Sequence, residues 1–155
     1  MRIGLMVEGQ AGLTWERWFH ILETVERLGI PSLFRSDHYV IGTPQSSIDA
    51  YLSFAIAARE TEDIRFGPLV NPMTFRSPVD LGRMAAQVNQ LSNGRFLLGL
   101  GAGWHQPEHD AYGIYFPPLK ERMDRLEEGI NVIKTLWGPG PASYKGKFYS
   151  VTDVD

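Results

Sequence analysis

The chain has 155 residues, of which 43% are hydrophobic and 21% charged, with a formal net charge of −3 and no cysteine. This is the composition of an ordinary globular domain, and it excludes disulfides, thiolate metal sites and a cysteine nucleophile. Scattered basic residues argue against a nucleic-acid partner, and no apolar run is long enough for a signal peptide or a membrane span, so a cytoplasmic location is expected.

Short apolar segments typical of β-strands alternate with longer segments whose apolar residues recur at helical spacing. The predicted strands cover residues 3–7, 32–36, 64–70 and 96–98. The predicted helices begin near Thr14, Asp49, Ser77 and Leu119, and end near Gly29, Thr61, Asn93 and Trp137. A loop around Gly42 and Pro44 precedes the second helix. This alternation predicts right-handed βαβ units and a parallel sheet, either open or closed into a barrel.

The helices bury one apolar face each. On the second helix the residues predicted to face inward are Leu52, Ala55, Ile56 and Ala58. The last helix has the most regular stripe, predicted as core along its whole length and formed by Leu119, Met123, Leu126, Ile130, Ile133 and Trp137. Beyond it, residues 142–151 are predicted to form a hairpin around Lys145 and Gly146.

Ligands of parallel α/β proteins bind at the carboxyl ends of the strands, so the residues after each strand are the candidates for a site. Glu8 follows the first strand, and Asp37 and His38 follow the second. An aspartate can accept a ring proton or bind a ligand hydroxyl, and a histidine can transfer a proton near neutral pH.

Two features of the backbone point to the same edge. Pro68 lies inside the third predicted strand, although proline cannot donate to a sheet ladder, and this predicts an irregular peptide at Leu69–Val70 that leans toward a ligand. After the fourth strand, Gly99, Gly101 and Gly103 alternate along the chain. Glycines clustered there predict a tight bend or a close approach of the main chain to a ligand.

His105, Glu108 and His109 match the pattern H-x-x-E-H of one class of zinc hydrolases. That pattern needs both histidines on one face of a helix. Pro107 between them and Gly113 soon afterwards argue against a long helix, so no metal site is expected, and a zinc hydrolase is kept only as an alternative function.

Three segments together resemble the luciferase-like oxidoreductase superfamily, and most closely its branch that uses the deazaflavin coenzyme F420. They are SLFRSDHY, NPMTFRSPVDLGRMAAQVNQLSNGRFLLGLGAGWHQPE, and the stretch from IKTLW to GKFY. The likeness implies a parallel (β/α) barrel of the TIM type. The chain would hold only the first four β/α units and a C-terminal hairpin, as one domain over residues 1–155, because it stops at VTDVD where family members would continue into a fifth strand.

The resemblance also implies hydride transfer between a deazaflavin or flavin coenzyme and a small organic substrate. His38 is expected to transfer a proton and Asp37 to position the ring, so both are candidate catalytic residues. The implied coenzyme contacts are Asp37, Leu69, Val70, Asn71, Gly101, Ala102 and Gly103, with a non-prolyl cis peptide often found at the position of Leu69–Val70. The implied substrate pocket includes Glu8, Trp104 and His105. Trp104 stands where sugar-phosphate dehydrogenase relatives place an acidic proton donor, which disfavours that subclass.

Coenzyme F420 is the expected cofactor, and FMN is the alternative, in which case the chain would be part of a monooxygenase. A non-catalytic half-barrel module is a further alternative. A half-barrel is expected to bind coenzyme weakly or not at all, since barrel loops that hold phosphate follow later strands. It would also expose two sheet edges, which predicts self-association or pairing with a missing C-terminal half.

Overall fold

The computed structural model describes residues 3–40 and 47–154. The chain forms two compact units, of which the first comprises Met1–Asn71 with Gln87–Gly99 and the second comprises Pro72–Ala86 with Leu100–Asp155. The predicted loop around Gly42 and Pro44 lies outside the described residues. Among the residues described, no helix is both long enough and apolar enough to cross a membrane.

The first unit contains a parallel sheet, as the sequence predicted. Its strands β1 (Gly4–Val7), β2 (Ser32–Arg35) and β3 (Arg65–Pro68) lie in the order β1-β2-β3. Neighbouring strands are parallel, and their last paired residues are Val7, Arg35 and Pro68. The carboxyl ends of the three strands therefore form one edge of the sheet.

The fourth predicted strand is reduced to a single bridge. Phe96 pairs with Phe66 of β3 in parallel orientation, and the Leu97 N–H donates to the Phe66 carbonyl at 2.8 Å. Gly67 lets the Leu97 carbonyl approach so closely that a Cβ at Gly67 would collide with it. The segment thus runs beside β3 without forming a regular ladder. Two short strands follow in chain order, β4 (Asn71–Pro72) and β5 (Leu100–Gly101).

Three helices begin at the positions predicted from their capping residues. Helix α1 (Trp15–Arg27) is capped by the Thr14 hydroxyl, and α2 (Ala50–Glu60) by the Asp49 carboxylate, which accepts from the Leu52 N–H at 2.9 Å. Helix α3 (Pro78–Leu91) is capped by Ser77, whose hydroxyl accepts from the Asp80 N–H at 3.1 Å. These local signals suffice to locate the helix starts, because each cap accepts from a helix N–H that has no partner within the helix.

Aromatic side chains form the core of the first unit. The rings of Phe54 and Phe66 each pack edge-on against Phe96, at centroid distances of 5.4 Å and 5.8 Å. The indole N–H of Trp18 donates to the Ser53 carbonyl at 2.9 Å. Leu52, predicted to face inward, is exposed instead, because the buried face of α2 follows Ala50, Ser53, Phe54, Ala57 and Ala58 and leaves Leu52 on the opposite side.

The second unit contains two further helices and the predicted hairpin. Helix α4 spans Gln106–Tyr112 and α5 spans Leu119–Leu136. The hairpin consists of β6 (Ala142–Lys145) and β7 (Ser150–Val154), which pair antiparallel. Helix α4 forms in spite of Pro107, because proline lies in its first turn, where the backbone N–H needs no partner within the helix.

The expectation that the whole apolar stripe of α5 is core is wrong at both ends. Val132 and Ile133 are buried, whereas Leu119, Met123 and Trp137 are exposed. An apolar stripe shows which face of a helix is turned inward, but only the neighbouring elements decide how much of its length is covered.

Candidate functional site

The register of the sheet places Glu8, Ser36 and Leu69 at one edge. The Ser36 N–H donates to the Val7 carbonyl at 3.0 Å, and the Leu69 N–H donates to the Arg35 carbonyl at 2.9 Å. Each strand continues the ladder up to the residue at which the chain leaves the sheet. Because neighbouring strands lie about 5 Å apart, the three exits span on the order of 10 Å. Asp37 and His38 follow Ser36 directly.

Asp37 and His38 differ in exposure. Asp37 is 2% exposed, and His38 is half-buried. A carboxylate withdrawn from solvent in this way is held in place by the surrounding chain, while the histidine beside it keeps contact with solvent.

Arg35, buried at the end of β2, fixes the chain next to Asp37. Its guanidinium donates to the Ser53 hydroxyl at 2.9 Å, the Ile48 carbonyl at 3.0 Å and the Ser47 hydroxyl at 3.1 Å. Gly9 packs against this guanidinium, and a Cβ at Gly9 would collide with it. The arginine thereby ties the ends of two strands to the segment that leads into α2.

A chain of hydrogen bonds orders Glu8. The Ser36 hydroxyl accepts from the Gly9 N–H at 2.9 Å and donates to the side-chain oxygen of Gln10. This orients the Gln10 amide so that its nitrogen donates to the Glu8 carboxylate at 2.6 Å. Glu8 is exposed, yet its carboxylate is fixed in direction.

The backbone is irregular at Leu69–Val70, as predicted. Strand β3 ends at Pro68, the Leu69–Val70 peptide is cis, and the chain resumes extended geometry at Asn71. Leu69 and Val70 are 49% and 39% exposed, whereas Asn71 is fully buried. Two apolar side chains thus stand in solvent at the edge that also carries Asp37. That Leu69 and Val70 face a ligand stays a prediction.

The alternating glycines predicted a close approach of the main chain to a ligand, and at Gly99 the main chain instead approaches other protein atoms. The Gly99 carbonyl accepts from the Asn71 N–H at 2.8 Å, and a Cβ at Gly99 would collide with the Pro68 carbonyl. Glycine is required there by the neighbouring main chain.

In the second unit, Gly101, Ala102 and Gly103 are half-buried and follow one another along a short strand and its exit. The Met73 N–H donates to the Gly101 carbonyl at 2.8 Å. Gly103 has a φ of +81°. Trp104 is exposed, and its ring packs against the half-buried His105 at a centroid distance of 4.9 Å.

The geometry of α4 does not support the zinc alternative. The helix does place His105 and His109 one turn apart, but Glu108 and His109 are both buried. The two ring nitrogens of His109 are already bonded, Nε2 to the Thr74 hydroxyl at 2.7 Å and Nδ1 to the His105 carbonyl at 2.9 Å. Within residues 3–40 and 47–154, no cluster of three or more acidic, histidine or cysteine side chains is arranged to hold a metal ion.

Each unit also has a cleft away from the predicted site residues. The first unit has one of about 430 Å³ at the amino ends of β2 and β3, lined in part by Glu26, Asp63 and Arg65. The second unit has one of about 290 Å³, lined in part by Arg76 and Arg125. Burial alone would lower the pKa of Arg125, but hydrogen bonds with Glu121 and Tyr149 and the attraction of the Glu121 carboxylate raise this pKa above its ordinary value.

The sequence did not identify Arg35 or Ser36 as parts of these arrangements, whereas Gln10 and Thr74 follow the first and third predicted strands, where a site is expected. A signal was present for Ser36, which ends the second predicted strand and directly precedes Asp37. Nothing in the sequence distinguishes Arg35 from an exposed arginine, since its burial depends on Ser47, Ile48 and Ser53, which come later in the chain.

Comparison with known proteins identifies relatives along the whole chain. The sequence model described as luciferase-like monooxygenase matches residues 1–155. The F420-dependent glucose-6-phosphate dehydrogenase of Amycolatopsis mediterranei (strain U-32) is 33% identical over 135 residues, which cover 83% of this chain and 40% of that protein. The pyrimidine monooxygenase RutA of Escherichia coli O7:K1 (strain IAI39 / ExPEC) is 38% identical over 112 residues, covering 69% of this chain and 33% of that protein.

A solved structure shares the fold. The oxygenating constituent of 3,6-diketocamphane monooxygenase from Pseudomonas putida, a type II Baeyer-Villiger monooxygenase in complex with FMN, superposes with a TM-score of 0.80 at 24% sequence identity. The superposition covers 97% of this chain and 43% of that one. The chain spans 40% of the dehydrogenase and 33% of the pyrimidine monooxygenase. With a parallel α/β sheet and a family match over its full length, the chain belongs to the luciferase-like monooxygenase family.

Proposed function

We propose that this chain forms the ring-binding edge of an oxidoreductase that transfers a hydride between coenzyme F420 and a small organic substrate. One observation carries the proposal: the sheet register brings the exits of β1, β2 and β3 to the same edge, where a buried carboxylate, a half-buried histidine and two exposed apolar side chains follow the strands. The relative that is a glucose-6-phosphate dehydrogenase depends on F420, which favours that coenzyme.

The side chains at this edge suit a planar ring with an apolar face and polar rim. Leu69 and Val70 offer exposed apolar surface, and the Asp37 carboxylate lies buried at the same edge. A bound deazaflavin or flavin ring supplies the hydride chemistry, and the protein supplies orientation and proton transfer. In this proposal His38 transfers the proton and Asp37 fixes the orientation of the ring.

The remaining roles are assigned by the family resemblance. Asn71 in the first unit, and Gly101, Ala102 and Gly103 in the second, are proposed as coenzyme contacts. Glu8, Trp104 and His105 are proposed as substrate contacts. The fixed direction of the Glu8 carboxylate supports a role in binding a substrate hydroxyl or other hydrogen-bond donor.

An FMN-dependent monooxygenase is the second candidate. A relative is a pyrimidine monooxygenase, and the structure from Pseudomonas putida holds FMN. Since the same ring site would serve either coenzyme, affinity rather than fold decides between them.

Titration of the chain with coenzyme F420 and separately with FMN tests the proposal. We expect a weak but saturable change in the coenzyme absorbance, larger at equal concentration for F420, because the barrel loops that hold phosphate follow later strands. Leu69→Asp should weaken binding about tenfold or more, because it places a charge against the ring face. Leu52→Asp is the matched control, since Leu52 is also an exposed leucine, at 60%, but lies on the face of α2 that is turned away from the core.

His38→Ala separates proton transfer from binding. We expect coenzyme affinity to change by less than about threefold, and turnover of any substrate that reduces the bound coenzyme to fall by about 10²–10⁴, the usual range for a lost general acid or base. Absence of a saturable signal with either coenzyme would refute the proposed function. Unchanged turnover in His38→Ala would remove only His38 from the mechanism.

A further inference from the structure

His109 occupies the last position of the H-x-x-E-H pattern, and the proposed function leaves it without a role. It is 1% exposed, and its ring packs against Phe75 and Phe116 at centroid distances of 5.0 Å and 4.6 Å. Both ring nitrogens are bonded within the second unit, to Thr74 and to the main chain of His105. Burial of a polar ring with both nitrogens satisfied indicates a fixed orientation.

The hydrogen-bond partners determine the tautomer of His109. A backbone carbonyl only accepts, so Nδ1, bonded to the His105 carbonyl at 2.9 Å, carries the proton. In the neutral ring Nε2 then accepts, and the Thr74 hydroxyl donates to it at 2.7 Å. In the neutral ring the direction of both bonds therefore follows from the chemistry of the groups.

The Thr74–His109 pair lies directly against the glycine segment, residues Gly101–Gly103. A Cβ on Gly103 would lie 2.8 Å from the Thr74 hydroxyl oxygen and 3.7 Å from His109 Nε2. At the other end of the segment, the Gly101 carbonyl accepts from the Met73 N–H at 2.8 Å. The segment is thus bonded at its start and packed on the Thr74–His109 pair at its end. His105, whose carbonyl accepts from His109, lies two residues after it.

We propose that Thr74 and His109 are positioning residues that hold the main chain of the glycine segment in the conformation needed to contact a planar deazaflavin or flavin coenzyme. The proposal rests on the proposed function for the identity of the ligand. Neither side chain is assigned a contact with the coenzyme. Thr74 fixes the ring of His109, and together they form the surface on which Gly103, at a φ of +81°, turns the chain.

Two variants separate positioning from stability. Thr74→Val keeps the shape of the side chain but leaves Nε2 of His109 buried and unbonded, whereas Thr74→Ser keeps the hydroxyl. In the double variant Thr74→Val/His109→Phe both partners of the Thr74–His109 hydrogen bond are replaced by apolar groups, a change that is often nearly neutral for stability, and the carbonyl of the half-buried His105 loses its side-chain donor. We expect the double variant to unfold at nearly the temperature of the unmodified chain. Its glycine segment, however, should no longer be held in a fixed conformation.

The first measurement needs no coenzyme. Nitrogen-15 NMR of His109 should show a protonated Nδ1 and an unprotonated Nε2, and the opposite tautomer would overturn the proposal. Amide hydrogen exchange across residues 101–105 should be about threefold to tenfold faster in Thr74→Val and in the double variant, the factor expected from one lost hydrogen bond, and unchanged in Thr74→Ser. Equal exchange in all four proteins would also overturn it.

The second measurement uses coenzyme F420 and FMN. Where the unmodified chain binds either one, the dissociation constant should rise about threefold to tenfold in Thr74→Val and in the double variant, and stay within about twofold in Thr74→Ser. Unchanged affinity in the double variant would overturn the positioning role. If the unmodified chain binds neither coenzyme, the proposed function fails, and hydrogen exchange still decides whether the pair holds the glycine segment.

Discussion

At the scale of single residues, Ser36 shows how one hydroxyl orders the exit of a strand. It accepts from the buried Gly9 N–H and donates to Gln10, and Gln10 in turn directs its amide to Glu8. We expect Ser36→Ala to lower the free energy of unfolding by about 1–2 kcal/mol, because it leaves a buried N–H without its acceptor. Urea unfolding followed by circular dichroism measures this change.

Ser150→Ala is the control for that measurement, because Ser150 is exposed on β7 and surface substitutions usually change stability by less than about 0.5 kcal/mol. Equal stability of Ser36→Ala and Ser150→Ala would show that the hydrogen-bond chain does not hold the exit of the strand.

At the scale of elements, one carboxylate of α5 is hydrogen-bonded to the main chain of the hairpin turn. Glu128 accepts from three successive backbone N–H groups, those of Lys147, Phe148 and Tyr149, at 3.1 Å, 2.9 Å and 2.7 Å. Gly146 leaves the space for this carboxylate, with which a Cβ would collide. We expect Glu128→Ala to cost about 2 kcal/mol or more in unfolding free energy, since hydrogen bonds to charged groups are worth about 1.5–3 kcal/mol each.

Hydrogen exchange at residues 147–149 locates that effect. These amides should exchange faster in Glu128→Ala, while those of α1 and α2 should keep their rates. Glu127→Ala, which changes an exposed neighbour on the same helix, is expected to leave the hairpin unaffected. Protected amides in Glu128→Ala would contradict the role given to this carboxylate.

At the scale of the whole molecule, the first strand of the sheet has an exposed edge to which a second copy of the chain could pair. Among the described residues β1 pairs with β2 alone, and the apolar residues Ile3, Leu5 and Met6 are 61%, 40% and 40% exposed. An exposed apolar edge strand is a template for pairing with another chain. We expect the protein to form dimers or larger species in light scattering, and Met6→Lys to shift the distribution toward monomer. A monomer at all concentrations would contradict this expectation.

Much of the candidate site was predictable because parallel strands end at a common edge. That rule selected Glu8, Asp37 and His38 from their positions along the chain, and Pro68 inside a predicted strand selected the Leu69–Val70 peptide. The rule missed the groups that fix them. Arg35 acts through Ser47, Ile48 and Ser53, which come later in the chain, and no local pattern encodes such a meeting.

The sequence by itself determined the local features: the helix starts at Thr14, Asp49 and Ser77, the strand segments and the C-terminal hairpin. Each depends on residues within a few positions, whose propensities and caps act in the isolated segment. Only the tertiary structure decided burial and hydrogen-bond partners. It left Leu52 in solvent and made His109 part of a bonded pair instead of a metal ligand, because these outcomes depend on which distant segments pack together.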